Sequence, residues 1–271
     1  MDTLTPGQRA SRGFVRLWTG FVLLAVYLPI LCGAFAGLSK SRYFLFPVKV
    51  WSFEWWDKTA ESLEIHTLLQ NSLAVAGLVT LFSVILGFFG ALAFARYDWT
   101  GRRAFQKLLL LPIFFPQPVL GLALLLWFNA VGLQTSWMTA VVAHMVWIVP
   151  VVTLVIAIQV YGFDPMLEEA AADLGASRLT ILREITLPIL WPGIWSGALF
   201  AFLLSWGNFP LSLYTAGADS TIPKWLYSKM VAGYTPMVPA LGTMSTLAAA
   251  TILLMAGLAA RAVKARREAK A

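Results

Sequence analysis

A polar loop between two long apolar stretches carries the residues whose types and spacing are most informative. A Glu-Ala-Ala triplet is followed after three residues by a glycine, and after nine more by an Ile-x-Leu-Pro group. These side chains suit a close contact with another protein rather than catalysis, because alanines favour a helix with a small, flat surface. The residues at the fixed positions are Glu169, Ala170, Ala171, Gly175, Ile185, Leu187 and Pro188.

The whole loop, residues 162–190, is predicted to fold as a short helix, a tight break and a second helix. Asp164 supplies a capping oxygen, and the proline after it costs no hydrogen bond at a helix start. Gly175 is placed to end this helix in a left-handed conformation, and Ser177 to cap the next helix. An ordinary helical hairpin between two spans is the alternative. The residues predicted to couple to a partner are Asp164, Glu168, Glu169, Ala170, Ala171, Asp173, Gly175, Ser177, Arg178, Ile185, Leu187 and Pro188.

The composition is that of a membrane protein. Hydrophobic residues make up 59% of the 271 residues and charged residues only 12%, whereas soluble domains carry about 25% charged residues. The single cysteine, Cys32, excludes an internal disulfide and a cysteine-built metal site. No P-loop, zinc or dinucleotide pattern occurs, so the chain is not expected to bind ATP itself. The net charge of +7 does not indicate nucleic-acid binding, because the basic residues cluster at the ends of apolar runs.

Six apolar stretches are long enough to cross a bilayer, which takes about 20 residues per helix. The first of them mimics a signal peptide, but its apolar run is longer than the roughly 7–15 residues of a signal core, so an uncleaved span is favoured. We therefore predict an all-α membrane protein with one transmembrane domain over residues 1–271. The predicted spans are residues 15–38, 68–95, 107–130, 137–161, 191–212 and 238–260.

The distribution of Lys and Arg predicts the orientation of these spans. Of the 20 basic residues, 14 fall in the segments that share a side with the N-terminus, and 6 fall in the others. Cytoplasmic segments carry the excess of Lys and Arg, so both termini are predicted to lie in the cytoplasm. The Glu-Ala-Ala loop is then cytoplasmic as well.

Shorter matches along the chain support a family resemblance. They include Asn71-Ser72-Leu73, Gly162-Phe163-Asp164 and Asp173-Leu174-Gly175-Ala176-Ser177. With the Glu-Ala-Ala pattern, they make the chain resemble the MetI-like inner-membrane permeases of bacterial binding-protein-dependent ABC importers. Within that family it is most similar to the second permease subunit of spermidine/putrescine systems.

The resemblance implies a machine with several partners. It implies a type I importer core in the bacterial inner membrane, surrounded by lipid. A cytoplasmic ATPase dimer would bind the loop, a second and different permease subunit would complete the pore, and a periplasmic binding protein would deliver the solute. It further implies that ATP and Mg bind to the ATPase, and that this chain holds no cofactor, metal or catalytic residue.

The acidic residues bear on the solute. None of the 13 Asp and Glu falls inside a predicted span, whereas polyamine permeases of this type usually carry acids near the pore centre. The partner permease supplies the acids, or the binding protein alone selects the solute, or the solute is a zwitterion, an amino-acid-like compound, a phosphonate or an organic acid. We favour a small nitrogen-containing solute. The residues predicted to line the pathway are Gln117, Trp206, Asn208, Phe209 and Tyr214.

Simpler interpretations stand beside these predictions. The aromatic candidates also suit helix packing or an interfacial belt, and Asn208 suits an interhelical hydrogen bond. His144, in the middle of a span, is predicted to be a packing histidine rather than a proton relay, since no acid accompanies it. A secondary transporter or channel that works alone is the rival function, and a membrane-embedded enzyme is disfavoured because no catalytic set of residues is found.

Overall fold

The structure is a computed structural model that describes residues 6–43 and 47–268, and helices make up almost all of this part. The described residues fall into two compact units, residues 64–227 and the segments that flank them on either side. The helices are α1 (Pro6–Gly37), α2 (Glu54–Glu61), α3 (Leu63–Ala95), α4 (Arg102–Leu110), α5 (Gln117–Ala130), α6 (Trp137–Tyr161), α7 (Met166–Asp173), α8 (Arg178–Ile181), α9 (Leu187–Trp206), α10 (Phe209–Thr215), α11 (Ile222–Ala232) and α12 (Met237–Glu268), with a 3₁₀ turn at Leu111–Phe114 and a π turn at Leu182–Thr186.

Five helices of the described chain are long and apolar enough to cross a membrane, and a broken pair is a sixth candidate. The pair joins Arg102–Phe114 to Gln117–Ala130 with a bend of 106°. Phe115 at the break is extended (φ −82°, ψ 134°), because a residue before proline is pushed out of the helical region. The stretch 107–130, predicted as one span, is therefore interrupted at Pro116 and is not one straight helix.

The predicted stretch 191–212 also differs from the observed helix. Helix α9 continues α8 and the π turn and ends at Trp206, after which Gly207 and Asn208 separate it from α10. The end lies inside an apolar run because Asn208 caps a new helix there, and Pro210 suits the first turn of that helix. Hydropathy does not detect such a cap.

Helices α3 and α8–α9 begin before the apolar stretches predicted for them. Glu64 consequently lies in the first turn of α3, and Glu184 lies in the helical segment Arg178–Trp206. The expectation that no acid lies within a spanning helix is corrected in this respect. Both acids are near helix ends, where a charged side chain is far less costly than at the bilayer centre.

Helix α6 is the centre of the unit formed by residues 64–227. Its residues Ile148, Val152 and Ile156 are fully buried, and it packs most extensively against α9. The close approach of the two helices depends on Gly193, because a Cβ there would lie 2.8 Å from the Cβ of Gln159. Small residues at such contacts are typical of packed membrane helices.

The flanking segments form a unit of their own, built on α1 and α12. These helices meet at Gly37, where a Cβ would lie 3.0 Å from the backbone nitrogen of Ala240. The short helix α2 packs on α12, and within it the Lys58 ammonium, 2.7 Å from Glu54, lowers the pKa of that carboxyl. Most apolar side chains of α1 are exposed in the isolated chain, as expected for a helix that lipid or another subunit covers.

Candidate functional site: the Glu-Ala-Ala loop and the helix breaks

The first helix of the Glu-Ala-Ala loop is capped at both ends. The Asp164 carboxylate accepts a hydrogen bond from the backbone N–H of Met166 at 2.9 Å. At the other end Gly175 is left-handed (φ +84°), and the N–H of Ala176 donates to the carbonyl of Ala171 at 3.0 Å. The last contact closes a Schellman motif, which satisfies carbonyls that a helix end leaves free. The predicted helix start and glycine break are both present.

The second half of the loop leads directly into the next span. The Ser177 hydroxyl accepts a hydrogen bond from the backbone N–H of Thr180 at 3.2 Å, as predicted for a cap. One turn of α8 then passes into the π turn Leu182–Thr186 and on to α9. Ile185 and Leu187 pack against the hydrophobic core, and Pro188 is half-buried in the first turn of α9. The Ile-x-Leu-Pro part of the pattern thus anchors the loop to its own chain.

The outward surface of the loop is apolar as well as small. Ala170 is exposed and Ala171 half-buried, while Leu174 is 90% exposed and Met166 68% exposed. The sequence pattern pointed to the alanines and missed these larger side chains, although their place beside Gly175 and Asp164 is readable from the sequence. Large apolar side chains at the rim of a small-residue surface are typical of a protein-contact site. Also exposed in this region are Glu169, Asp173 and Arg178.

Glu168 differs from its neighbour Glu169 in where its carboxylate points. One oxygen is 2.5 Å from a guanidinium nitrogen of Arg96, and the other accepts a hydrogen bond from the Thr186 hydroxyl at 2.5 Å. The sequence placed both glutamates among the partner-contact residues. In the structure Glu169 is exposed, whereas the Glu168 carboxylate is bound within the chain.

Three of the predicted pathway residues lie at the break between α9 and α10. Trp206 is buried at the end of α9 and stacks on Phe202, with ring centroids 5.7 Å apart. Asn208 is buried, and its amide oxygen accepts a hydrogen bond from the backbone N–H of Leu211 at 3.1 Å. That bond is a local helix cap rather than the interhelical bond considered above. Phe209 contacts Tyr227 with ring centroids 4.3 Å apart and ring planes tilted by 37°.

The other two candidates belong to α5 and to the contact of α10 with it. Gln117 is half-buried as the first residue of α5, directly after the bend in the broken pair. Tyr214 packs on α5 at Gly121, where a Cβ would lie 2.9 Å from the ring. The structure thus brings Tyr214 to α5 and places Gln117 at a different break from Trp206, Asn208 and Phe209.

A buried histidine connects the three helices around the α9–α10 break. His144 of α6 is fully buried, with Nδ1 2.9 Å from the Ser205 hydroxyl and Nε2 3.0 Å from the Ser212 hydroxyl. A neutral imidazole offers one donor and one acceptor, and serine hydroxyls adapt to either. The predicted packing role of His144 is confirmed, while the two serines that bond to it were not identified from the sequence.

Replacing His144 by leucine is expected to destabilise the protein, because two buried hydroxyls lose their partner. The expected cost is about 2 kcal/mol, since a buried unsatisfied polar group costs roughly 1–3 kcal/mol. Thermal unfolding in detergent, followed by size-exclusion of the folded fraction, measures it. The triple variant His144→Leu, Ser205→Ala, Ser212→Ala removes the orphaned groups and should regain part of the loss. A single variant as stable as the wild type would contradict the bonding role.

The turn between α10 and α11 is held down by hydrogen bonds from elsewhere in the same unit. The Asn71 amide donates to the carbonyl of Ser220 at 3.2 Å, and the Ser72 hydroxyl accepts from the backbone N–H of Ile222 at 2.9 Å. In the sequence, only the family resemblance indicated these two residues. The structure shows what they do: they fasten the turn to α3.

Two charged side chains at the same turn, Asp219 and Lys224, are held by hydrogen bonds to the backbone. The Asp219 carboxylate accepts a hydrogen bond from the backbone N–H of Trp137 at 3.3 Å, and so caps α6. The Lys224 ammonium donates to the carbonyl of Gly217. Burial lowers the pKa of Lys224, and the Asp219 carboxylate offsets part of this effect. In the part of the chain that the structure describes, no group of three His, Cys, Asp or Glu could hold a metal ion.

Comparison with known proteins decides the family. Residues 83–267 match the family model described as "Binding-protein-dependent transport system inner membrane component". The chain belongs to this family. It is 31% identical to the spermidine/putrescine transport system permease protein PotC of Haemophilus influenzae, over 93% of this chain and 98% of that protein. It is 30% identical to the putrescine transport system permease protein PotI of Escherichia coli (strain K12), over 96% of this chain and 95% of that protein.

A solved structure shares the fold of this permease. The chain superposes with a TM-score of 0.73, over 94% of its length and 96% of the other chain, on a bacterial ABC transporter involved in the import of the acidic polysaccharide alginate. Sequence identity there is 18%. The family match and the permease relatives make the protein a multi-pass inner-membrane permease subunit of an ABC importer rather than an enzyme. The resemblance inferred from the sequence and the all-α type I importer fold are confirmed.

Proposed function

We propose that the Glu169–Pro188 segment docks this permease to a cytoplasmic ATPase dimer. The observation that carries the proposal is the exposed surface around Ala170 and Leu174, held on a helix with both ends capped by the chain itself. A rigid apolar surface in a loop that lies on the positively charged side of the membrane suits a cytoplasmic protein partner. In this orientation both termini are cytoplasmic.

A second, different permease subunit would complete the pore, and a periplasmic binding protein would deliver the solute. The apolar side chains exposed on α1 support a subunit or lipid contact in the membrane. The family description, which names binding-protein-dependent transport, supports the delivering protein. This chain would then form half of the translocation pathway, with the α9–α10 break and Gln117 facing it.

The solute is proposed to be a small nitrogen-containing compound of the polyamine type. The proteins PotC and PotI, named for spermidine and putrescine transport, align over nearly the whole chain. The α9–α10 break offers neutral groups, and Asn208 there is occupied as a helix cap. A polycation would therefore meet aromatic faces from this subunit, such as Phe209 on Tyr227, and its counter-charges would come from the partner permease. The absence of charged side chains among Trp206, Asn208 and Phe209 at this break favours the alternative solutes: a zwitterion, an amino-acid-like compound, a phosphonate or an organic acid.

The test is uptake into proteoliposomes that contain this permease, the second permease, the ATPase and the binding protein. Labelled spermidine and putrescine are expected to accumulate only with hydrolysable ATP inside. A non-hydrolysable analogue is the matched control. Accumulation of a labelled organic acid or phosphonate instead would refute the polyamine-type solute but support ATP-driven import. Uptake by the permease alone, without ATPase or ATP, would support the secondary transporter or channel and refute the proposed function.

A further inference from the structure

One carboxylate joins three segments that are far apart in the sequence. Arg96 directly follows α3, Glu168 lies in the first turn of α7, and Thr186 ends the π turn. Each Glu168 oxygen is 2.5 Å from one of the other two side chains. Arg96 and Glu168 are only 15% and 23% exposed, so their ion pair is shielded from water and stronger than a surface pair. We call this set the Arg96–Glu168–Thr186 clamp.

Both outer ends of the clamp are held by buried groups. The Arg96 guanidinium lies 5.2 Å from the centroid of the Phe163 ring, and Phe163 is buried in the core. Thr186 is itself buried. Side chains held in this way have little freedom to follow Glu168 without moving the helices that carry them. The position of α7 is therefore tied to the ends of α3 and α9.

A glycine lies on each side of α7 in the chain. Gly162 lies between α6 and α7, and the left-handed Gly175 lies between α7 and α8. Glycine adds backbone freedom at both places. The direct route from α8 to α9 passes through a π turn, a wide turn that is rare and often marks functional sites. The clamp gives α7 a link to the spans that does not pass through these glycines or through the π turn.

The π turn itself is linked to the clamp. The Thr186 hydroxyl lies 2.5 Å from Glu168 and 3.4 Å from the carbonyl of Ile181, five residues earlier. A hydroxyl has one proton, and the shorter contact to a charged acceptor takes it. If Glu168 lost its charge, the hydroxyl would be available to bond within the turn. The Thr186 hydroxyl thus contacts both the Glu168 carboxylate and a carbonyl of the π turn.

We infer that Glu168 is a positioning residue that makes α7 move together with α3 and α9, so that force applied to the Glu-Ala-Ala loop reaches two membrane spans at once. The inference rests on the proposed docking of the ATPase to this loop. Glu168 does not take part in the docking surface, since both of its oxygens are bound within the chain. Its loss should therefore separate ATP hydrolysis from transport rather than release the ATPase.

The experiment compares Glu168→Gln and Arg96→Gln in the four-component proteoliposomes, with Asp98→Asn as control. Asp98 lies two residues from Arg96 but outside both the clamp and the Glu169–Pro188 segment, and its side chain is 92% exposed. Its surface pair with Arg102 contributes little to stability, so the control removes an equal charge away from the clamp. The readouts are ATPase retained on the purified permease, ATP hydrolysed, and labelled spermidine taken up. Both clamp variants should keep the ATPase and take up about tenfold less spermidine per ATP, as expected for loss of a charge-assisted bond in a coupling element. The control should match the wild type.

A charge exchange tests the ion pair itself. The double variant Arg96→Glu, Glu168→Arg should regain most of the spermidine taken up per ATP that each single change loses. An unchanged ratio in Glu168→Gln, an equal loss in Asp98→Asn, or release of the ATPase by Glu168→Gln would each overturn the clamp as a transmitting element. A wild-type permease that retains no ATPase would instead refute the docking on which the clamp depends.

Discussion

Gly175→Asp is expected to release the ATPase from this permease while the permease itself stays folded. The left-handed Gly175 (φ +84°) has no atom of its own chain within 4 Å of the position of a Cβ. A side chain there costs the fold only the left-handed strain, about 1–2 kcal/mol. In the proposed contact with the ATPase, by contrast, the new carboxylate would lie beside Leu174 and would have to be desolvated. Co-purification of the ATPase should fall by about tenfold or more.

The chain offers a matched control in Gly132→Asp. Gly132 is also left-handed (φ +75°), with open space around its Cβ position. It precedes the first residue of α6, whereas the Glu-Ala-Ala loop follows the last residue of α6. The strain and the added charge are therefore equal, and only the location differs. Gly132→Asp should retain the ATPase. Equal retention by both variants would contradict the docking assignment, and equal loss would show that strain rather than contact is responsible.

Glu169→Lys gives the same surface a change of charge without backbone strain. Glu169 is exposed and helical, so its replacement should preserve the packing of the permease, and the proposed docking predicts weaker co-purification of the ATPase.

The Glu-Ala-Ala loop shows which features a sequence can predict. Its caps at Asp164 and Ser177 and its left-handed Gly175 follow from interactions between residues two to five positions apart, and local rules of helix capping capture such interactions. The inward turn of Glu168 does not follow in this way. Its partner Arg96 is 72 residues distant, and the Glu-Ala-Ala pattern does not specify which of the adjacent Glu168 and Glu169 faces inward. Only tertiary packing distinguishes the two.

The membrane spans show the same limit. The bend at Phe115–Pro116 was predictable because proline constrains the backbone wherever it occurs. The end of α9 at Trp206 was not, because Gly207 and Asn208 interrupt an otherwise apolar run whose average hydropathy remains high. His144 was correctly expected to pack, because no acid accompanied it. Its bonds to serines depend on how three helices meet, which periodicity does not encode.

Gly217→Ala is expected to destabilise the α10–α11 turn strongly, because the added methyl group would collide with the backbone of the same unit. A Cβ at Gly217 would lie 2.1 Å from the carbonyl oxygen of Thr135, and the backbone is left-handed (φ +56°). Because the colliding atom belongs to the backbone, no rotamer change relieves the overlap. Strain and overpacking together should cost about 3 kcal/mol or more. The bonds around Asp219 and Lys224 would be displaced with the turn.

Gly132→Ala separates the two contributions to that cost. It adds the same methyl group at a left-handed glycine, but into open space, so it pays only the strain of about 1–2 kcal/mol. The apparent melting temperature in detergent should fall by roughly 6–12 °C for Gly217→Ala, and by a smaller amount for Gly132→Ala. Since the turn also fastens α11 to α3 through Asn71 and Ser72, Gly217→Ala should in addition lower spermidine uptake. Equal melting temperatures for the two variants would show that the turn can move away from Thr135, and that its hydrogen bonds do not fix its position.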